Sequence, residues 1–401
     1  EIKDAQLMVN GKAIMVNGVN IHEHDPINGH VPNRELMMKD LALMRQNNIN
    51  TIRMCHYPHE PYFYDLCDEY GFYIVDEANI ESHDMGSEPG PFDKTQHAAY
   101  LPEWAPAHND RIKRMLETDK NHPSIIIWSM GNECGNGPVF YDNYKWLKQR
   151  DPSRPVMFEQ AMENTDTDIV APMYPDISYM KEYAASDKQR PFIMCEYSHA
   201  MGNSNGNFQE YFDIMATSPK MQGGCIWDWV DQGMTTHDAN GVEYLAYGGD
   251  LGSKDLYNDE NFCANGLIDA NRNPHPGLFE VKKVYQDINF KYANDKLTIK
   301  NQYQYTNLSA FDFKWVLLKD GLKVQEGSLT ANTAPGKETE VLLGADTTEE
   351  GEYYLSVYAY TKTATALVPA GHEQAREQFK LESSSFFGTS KVAEGKVKYK
   401  Q

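Results

Sequence analysis

Two glutamates close apolar runs in this sequence. Glu133 follows IIIWSMGN and Glu196 follows PFIMC. An unpaired charge at the end of a buried strand is costly, so each needs a partner or a task. One task suits both. Paired carboxyls across a pocket cleave a glycosidic bond when one donates a proton to the leaving oxygen and the other attacks the anomeric carbon. Mutual repulsion and partial burial would push one pKa up and leave the other low. The alternative for either residue is a strand-end ion pair with Arg53 or a lysine. Both readings stay open on the residues alone.

Other apolar runs end in chemistry-bearing groups too. His22, Glu23 and His24 follow the first run, and Arg53 and His56 the second. Asp76, Glu77, Glu81 and His83 follow the third; Asn132 precedes Glu133; Tyr174 follows the sixth run, His199 the seventh, and Trp227 and Asp228 the eighth. Carboxylates, imidazoles, aromatics and one arginine gathered on one rim form a palette suited to sugars.

The elements that must position them alternate. Apolar runs at 13–20, 51–55, 72–76, 125–130, 156–159, 169–173, 192–195 and 224–229 read as strands. Helical patterns fall between them at 34–47, 61–70, 107–120, 139–149, 178–185 and 208–216, the first behind a candidate Asn33 cap, with a closing helix at 278–285. Residues 125–128 are apolar on both sides of the pleat, as buried parallel strands require. Eight strands with intervening helices predict an α/β fold, a (β/α)8 TIM barrel, with catalytic groups at the C-terminal strand ends. The connection 160–168 is too short for a full helix. A doubly wound sheet would need a Gly-rich phosphate turn after an early strand, and none is present. From about 293 the texture changes to short alternating segments at 296–303, 313–319, 322–328, 340–343 and 353–361, which predict an all-β immunoglobulin-like sandwich. The expected domains are 1–292 (barrel), 293–382 (sandwich) and 383–401 (a linker). Trp315 and Tyr353-Tyr354 are expected in the sandwich core.

Composition excludes other classes. The chain has 401 residues and a net charge of −21, so phosphate backbones should be repelled and nucleic acid is not an expected partner. No apolar run reaches the roughly 20 residues of a membrane helix. The six cysteines form no CxxC pair and read as free thiols. The chain opens inside a strand-turn-strand pattern without an initiator Met, as expected of a piece of a longer polypeptide. Compartment, cytoplasmic or periplasmic, is therefore left unassigned.

Six strings carry a family resemblance: GVNIHEHDP, RMCHYPHEP, FYIVDEANIESHDMG, NHPSIIIWSMGNE, CEYSHAMGNS and GGCIWDWVDQG. Occurring in this order, they resemble glycoside hydrolase family 2 in its LacZ-type β-galactosidase branch. The resemblance spans nearly all of 7–292 and continues more weakly to about 381. It implies a retaining exo-β-galactosidase core acting on a terminal β-galactoside or oligosaccharide, with Glu133 as acid/base and Glu196 as nucleophile. It further implies that Tyr174 hydrogen-bonds the nucleophile and Arg53 holds it by charge. Asn132 would contact the sugar 2-hydroxyl, His56 and His199 other hydroxyls, His22 the transition state, and Trp227 would form an apolar platform.

The resemblance also implies Mg²⁺ at Glu81, His83 and Glu133, with Mn²⁺ as an alternative. Glu81 and His83 lie two apart, so on an extended segment they would point the same way. An imidazole is an unusual Mg²⁺ ligand. A Na⁺ or K⁺ site would use the Phe262 carbonyl and the Asn265 side chain. Its remaining carboxylate lies, in the family, in a preceding domain, so the site is expected to be incomplete here. A homo-oligomer is implied for the full-length form. Cys134 stands where the family usually has Ser. The domains that flank the barrel and sandwich in the family lie outside this sequence, so this piece is expected to fold but to hydrolyse galactosides weakly or not at all. The competing functions are a family 2 β-glucuronidase or β-mannosidase, or a non-catalytic carbohydrate-binding barrel. A glucuronidase needs a cation for the sugar carboxylate, and no extra Lys or Arg is read for that task in the loops after strands seven and eight.

Overall fold

The computed structural model describes residues 1–253 and 255–381. The chain divides into two compact units, Glu1–Tyr285 and the part from Gln286 onward.

The first unit opens with an antiparallel meander, β1 (Ile2–Lys3), β2 (Gln6–Val9) and β3 (Lys12–Ala13). Ala13, expected in the first barrel strand, belongs to this meander: it pairs with Met8, and Lys12 with Val9, across the Asn10-Gly11 turn. Seven strands follow: β4 (Val16–Ile21), β5 (Thr51–Met54), β6 (Tyr73–Glu77), β7 (Ile125–Ser129), β8 (Val156–Met157), β9 (Phe192–Tyr197) and β10 (Met221–Ile226). All their pairings are parallel, in the order β8-β7-β6-β5-β4-β10-β9. The ring closes through residues 169–173. Ile169 bridges Met157, Val170 bridges Phe192 and Met173 bridges Glu196, each in parallel sense. This eighth position is a line of single bridges rather than a regular strand.

Helices α1 (Arg34–Gln46), α2 (Pro61–Tyr70), α3 (Ala105–Asp119), α4 (Pro138–Arg150), α5 (Ile177–Ala185), α6 (Phe208–Met215) and α7 (Pro276–Val284) connect the strands. The Asn33 side chain caps α1 by accepting the amides of Glu35 and Leu36. After β8 the chain makes only a 3-10 turn, Glu159–Ala161, as the short connection requires. No described helix is long and apolar enough to cross a membrane.

The ring is filled from within by Val16, Val75, Ile127, Met157, Ile169, Ile193, Cys195 and Cys225. The meander packs Leu7 and Ile14 against this cluster. Gln222, buried on β10, ties it down. Its Oε1 accepts the Leu7 amide (2.6 Å), and its Nε2 donates to the carbonyls of Leu7 (3.0 Å) and Ile14 (2.7 Å). Next to it, Gly223 has φ +84, and a Cβ there would lie 2.2 Å from the Val16 carbonyl oxygen. Only glycine lets β10 pass this close to β4. All six cysteines are free, and all but Cys263 are buried.

The second unit has two antiparallel sheets. One is β13-β14-β17, from β13 (Ile288–Ala293), β14 (Lys296–Asn301) and β17 (Glu338–Leu342). The other is β16-β15-β18-β19, from β15 (Phe311–Lys319), β16 (Leu322–Leu329), β18 (Tyr353–Thr361) and β19 (Glu373–Leu381). A separate hairpin in the first unit, β11 (Met234–His237) with β12 (Glu243–Ala246), completes the numbering. Alternation sends Phe311, Phe313, Trp315 and Leu317 of β15 and Tyr353, Leu355, Val357 and Ala359 of β18 into one core with Leu297 and Ile299. Trp315 and Tyr353 are therefore core residues, while Tyr354 is half-buried. The arrangement is consistent with an immunoglobulin-like sandwich. The expected linker 383–401 lies outside the described residues.

The Gln222 clasp gives a test. In Gln222→Ala, the backbone groups of Leu7 and Ile14 lose buried partners, at roughly 1–3 kcal/mol per unpaired group. Denaturant unfolding should show a loss of at least ~1 kcal/mol; an unchanged midpoint would mean that the meander is not held through this side chain.

Candidate active site

Arg53 points inward from β5 and is fully buried. A guanidinium has five N–H donors, and here each meets an acceptor. Nε and Nη2 donate to Glu77 Oε2 at 3.0 and 2.7 Å. Nη1 donates to Asn20 Oδ1 (2.9 Å) and to Glu196 Oε1 (3.0 Å), and Nη2 also donates to Asn132 Oδ1 (2.8 Å). The acceptors stand at the ends of β4, β6, β7 and β9, so one cation ties together the C-terminal ends of five strands. Burial alone would push the Glu77 carboxyl up. The Arg53 charge and hydrogen bonds from His56 and Ser129 outweigh it and hold Glu77 below the ordinary carboxylate range.

Glu196 is held on both oxygens. Arg53 donates to Oε1, and the Tyr174 hydroxyl donates to Oε2 at 3.0 Å. Burial and the Glu196 charge raise the Tyr174 phenol, so it stays a donor. Glu133 sits differently. Its carboxyl is raised from the ordinary value by burial first, with the charges of Glu196 and Glu81 adding and His83 opposing. Glu133 and Tyr174 have left-handed φ of 40° and 46°, conformations that non-glycine residues adopt only when the surroundings over-determine them. For Glu133 one such constraint is visible: its amide donates to Glu159 Oε1 at 2.5 Å. Glu159 is buried, and burial pushes it up to about 8 despite hydrogen bonds from Gln160 and Glu133.

The predicted sugar-contacting side chains form two groups. Trp227 stacks on His56 (5.3 Å between ring centroids, 9° between planes) and meets His22 edge-on (5.6 Å). His56 Nδ1 contacts Glu77 Oε1 at 2.7 Å, and His22 Nδ1 contacts the Tyr57 hydroxyl at 3.1 Å. Burial, then neighbouring imidazoles, depress the His22 pKa, so it is neutral. On the Glu196 side, His199 lies 5.9 Å from both Tyr174 and Phe262, ring to ring, and burial lowers its pKa against the pull of Glu196.

The predicted cation residues also lie at this rim. The segment from Glu81 to His83 is not extended throughout, because a 3-10 turn begins at His83. His83 Nδ1 nonetheless comes 3.3 Å from Glu133 Oε2. Glu81 accepts the Asn132 amide nitrogen (2.8 Å) and the His83 backbone amide (3.2 Å). Burial raises Glu81 as it does Glu133. Glu81, His83 and Glu133 are not one of the groups of described residues whose ligand atoms all lie within 4.8 Å of one another, so the three are neighbours on the rim rather than a preformed cation site. Phe262 and Asn265 meet as well: Asn265 Nδ2 donates to the Phe262 carbonyl (2.9 Å), and Asn265 Oδ1 is buried without a partner. This pair offers a monovalent cation only two oxygens.

Sequence reasoning passed over Asn20 and Glu159, and placed Glu77 on the rim without giving it a role. Asn20 and Glu77 end apolar strands, the same signal that drew attention to Glu196. Glu159 follows the short run VMF and is found only through the Glu133 amide.

The chain matches known proteins over both units. The profile described as glycosyl hydrolases family 2, TIM barrel domain, matches residues 1–290. The profile described as beta-galactosidase, domain 4, matches residues 297–382. A beta-galactosidase of Photobacterium profundum is 43% identical over 98% of this chain and 39% of its own length. One of Pseudoalteromonas haloplanktis is 42% identical with the same coverage. The chain thus spans about two fifths of the length of these relatives. Among solved structures, a Ruminococcus gnavus beta-glucuronidase covers 70% of this chain and 52% of its own at 20% identity and TM-score 0.56. An FMN-binding beta-glucuronidase covers 94% of this chain and 57% of its own at 17% identity and TM-score 0.56. At these identities the likeness is one of fold.

Two measurements test the geometry. Arg53→Ala leaves the buried Glu77 without its counter-charge and should destabilise the chain by about 3–5 kcal/mol; chemical denaturation reads this, and a loss under ~1 kcal/mol would contradict the hub. Glu159, ordinarily near 4.5, is pushed up to about 8, so the folded chain binds this proton more tightly than the unfolded chain. Its contribution is complete below about pH 4.5 and is lost as pH rises to about 8. Glu159→Gln keeps an acceptor for the Glu133 amide but cannot titrate. Its thermal midpoint should decline less between pH 5 and 8 than that of the parent; parallel declines would refute the assignment.

Proposed function

The chain belongs to glycosyl hydrolase family 2, and from that premise we propose that it is the catalytic core of a retaining exo-β-galactosidase, with Glu133 as acid/base and Glu196 as nucleophile. The observation that carries this reading is the contrast between the two carboxyls. Arg53 and Tyr174 occupy both oxygens of Glu196. The Glu133 carboxyl is raised above its ordinary value by burial, with the Glu196 charge adding to it.

The steps follow from that contrast. Glu133 gives its proton to the glycosidic oxygen while Glu196 attacks the anomeric carbon; the aglycone leaves and a glycosyl ester forms on Glu196. Esterification removes the Glu196 charge, one of the influences that raise Glu133. Glu133, now ionised and less basic, takes a proton from water as that water attacks the anomeric carbon, and Glu196 is released. Tyr174 hydrogen-bonds the departing carboxylate. Asn132, His22, His56, His199 and Trp227 are proposed to bind the sugar. Glu81, His83 and Glu133 are proposed to hold Mg²⁺ or Mn²⁺, which when bound supplies positive charge that lowers the proton affinity of Glu133. The Phe262 carbonyl and Asn265 are proposed contributors to a monovalent cation site.

Galactose as the sugar is supported by the names of the curated relatives and of the second profile. The alternative, another β-glycoside such as a glucuronide or mannoside, is separated by substrate profiling of the natural polypeptide.

Two variants distinguish the roles. Glu133→Ala should lose about 10²–10⁴-fold in turnover of a galactoside with an alkyl leaving group, and far less in the first step with a nitrophenyl leaving group, which needs little protonation. Glu196→Ala should lose activity equally on both. The reverse pattern would exchange the roles; no loss in either variant would remove the mechanism. Because the acid must be protonated, kcat/KM should fall on the alkaline side as Glu133 ionises, and Glu133→Gln should abolish that limb.

A further inference from the structure

Three soft ligand atoms converge at the ends of β4 and β5. One ligand atom each from His22, Cys55 and His56 lies within 4.8 Å of the other two. A tetrahedral zinc with Zn–N of about 2.0–2.1 Å and Zn–S of about 2.3 Å spaces its ligands roughly 3.4–3.6 Å apart. The observed cluster thus needs only a small contraction.

The surroundings suit a metal as well as the spacing does. Ligating imidazoles are usually oriented by a partner on the other ring nitrogen, often a carboxylate. His56 meets Glu77 Oε1 through Nδ1 at 2.7 Å, and Glu77 is itself pinned by Arg53 and Ser129. His22 meets the Tyr57 hydroxyl through Nδ1 at 3.1 Å. Trp227, stacked on His56 and edge-on to His22, fixes both ring planes from a second side. Cys55 is fully buried, whereas both imidazoles are partly exposed.

We propose that His22, Cys55 and His56 form a soft-metal site of the zinc or cadmium class, with its fourth coordination position directed to solvent. The N₂S donor set selects such ions over Mg²⁺. The site shares no residue with the oxygen-rich set of Glu81, His83 and Glu133. On binding, the Cys55 thiol loses its proton to solvent as the sulfur–metal bond forms. Because His22 and His56 are proposed sugar contacts, occupancy would also block the sugar; that consequence rests on the galactosidase reading, but the metal site does not.

The test is a Cd²⁺ titration of the full chain, followed by the ultraviolet thiolate-to-cadmium charge-transfer band and by calorimetry. The expected result is a band that saturates at one equivalent per chain. Cys55→Ser should abolish the band, whereas Cys263→Ser, which removes the most exposed thiol, should keep it. His22→Gln leaves the thiol in place and should weaken binding tenfold or more. Absence of the band in the parent chain, or its persistence in Cys55→Ser, overturns the proposal. Should Cys55→Ser not fold by circular dichroism, His22→Gln decides, and unchanged affinity in that variant overturns it. Every readout is of metal binding rather than of turnover, so failure here leaves the hydrolase reading untouched.

Discussion

A fully buried guanidinium organises this site. Arg53 reaches Asn20, Glu77, Asn132 and Glu196 with all five of its N–H groups. A cation without water must find acceptors in the protein, and a planar fork admits few arrangements of them. The strand ends that carry the acceptors are therefore fixed relative to one another. Lysine would not substitute, since it offers three donors about one point and no plane. The interaction is specific more than it is stabilising, because desolvating the charges offsets much of their attraction.

From that constraint the two carboxyls acquire different characters. Glu196 lies inside the network, touching the cation directly. Glu133 lies outside it, beyond Asn132, and its environment is one of burial and neighbouring carboxylates. The backbone supports the difference. Asn132 is held at both ends of its amide, by Arg53 and by Glu81, so Glu133 begins from an immobilised neighbour. Its unusual φ is then sustained by the amide contact to Glu159. Two residues of one chemical type thus receive opposite tasks from what surrounds them.

Much of this was legible in the sequence. The barrel followed from apolar runs at regular spacing, and the rim followed from asking which polar residue ends each run. That question reached Arg53, Glu133, Glu196 and Trp227 directly. It failed where side chains act through others. Glu77 ends the third strand like any candidate, but nothing in YIVDE says that it would serve arginine and imidazole together. Glu159 is visible only through a backbone amide, which sequence pattern does not encode. The first strand began later than its hydrophobicity suggested, because the Asn10-Gly11 turn diverts residues 12–13 into the meander. The sixth apolar run, 169–173, was correctly located, yet it pairs only through single bridges. Extended spacing was the wrong warrant for joining Glu81 to His83, since the chain turns there. The sandwich strands were read from alternation alone; β13 was missed although Ile288, Phe290 and Tyr292 alternate, because residues up to 292 were assigned to the barrel, and β19 was missed because Glu377 interrupts the row of Ala375, Phe379 and Leu381.

The central claim is that Glu196 becomes covalently bonded to the sugar. Incubating the natural polypeptide with a 2-deoxy-2-fluoro-β-galactoside that carries a good leaving group should trap that ester, since the fluorine slows its hydrolysis by destabilising the oxocarbenium-like transition state. Peptide mapping by mass spectrometry should then locate one added fluorogalactosyl group on the peptide containing Glu196. An adduct on Glu133, on Glu77 or on any other carboxylate, or rapid turnover with inversion and no adduct, would contradict the account.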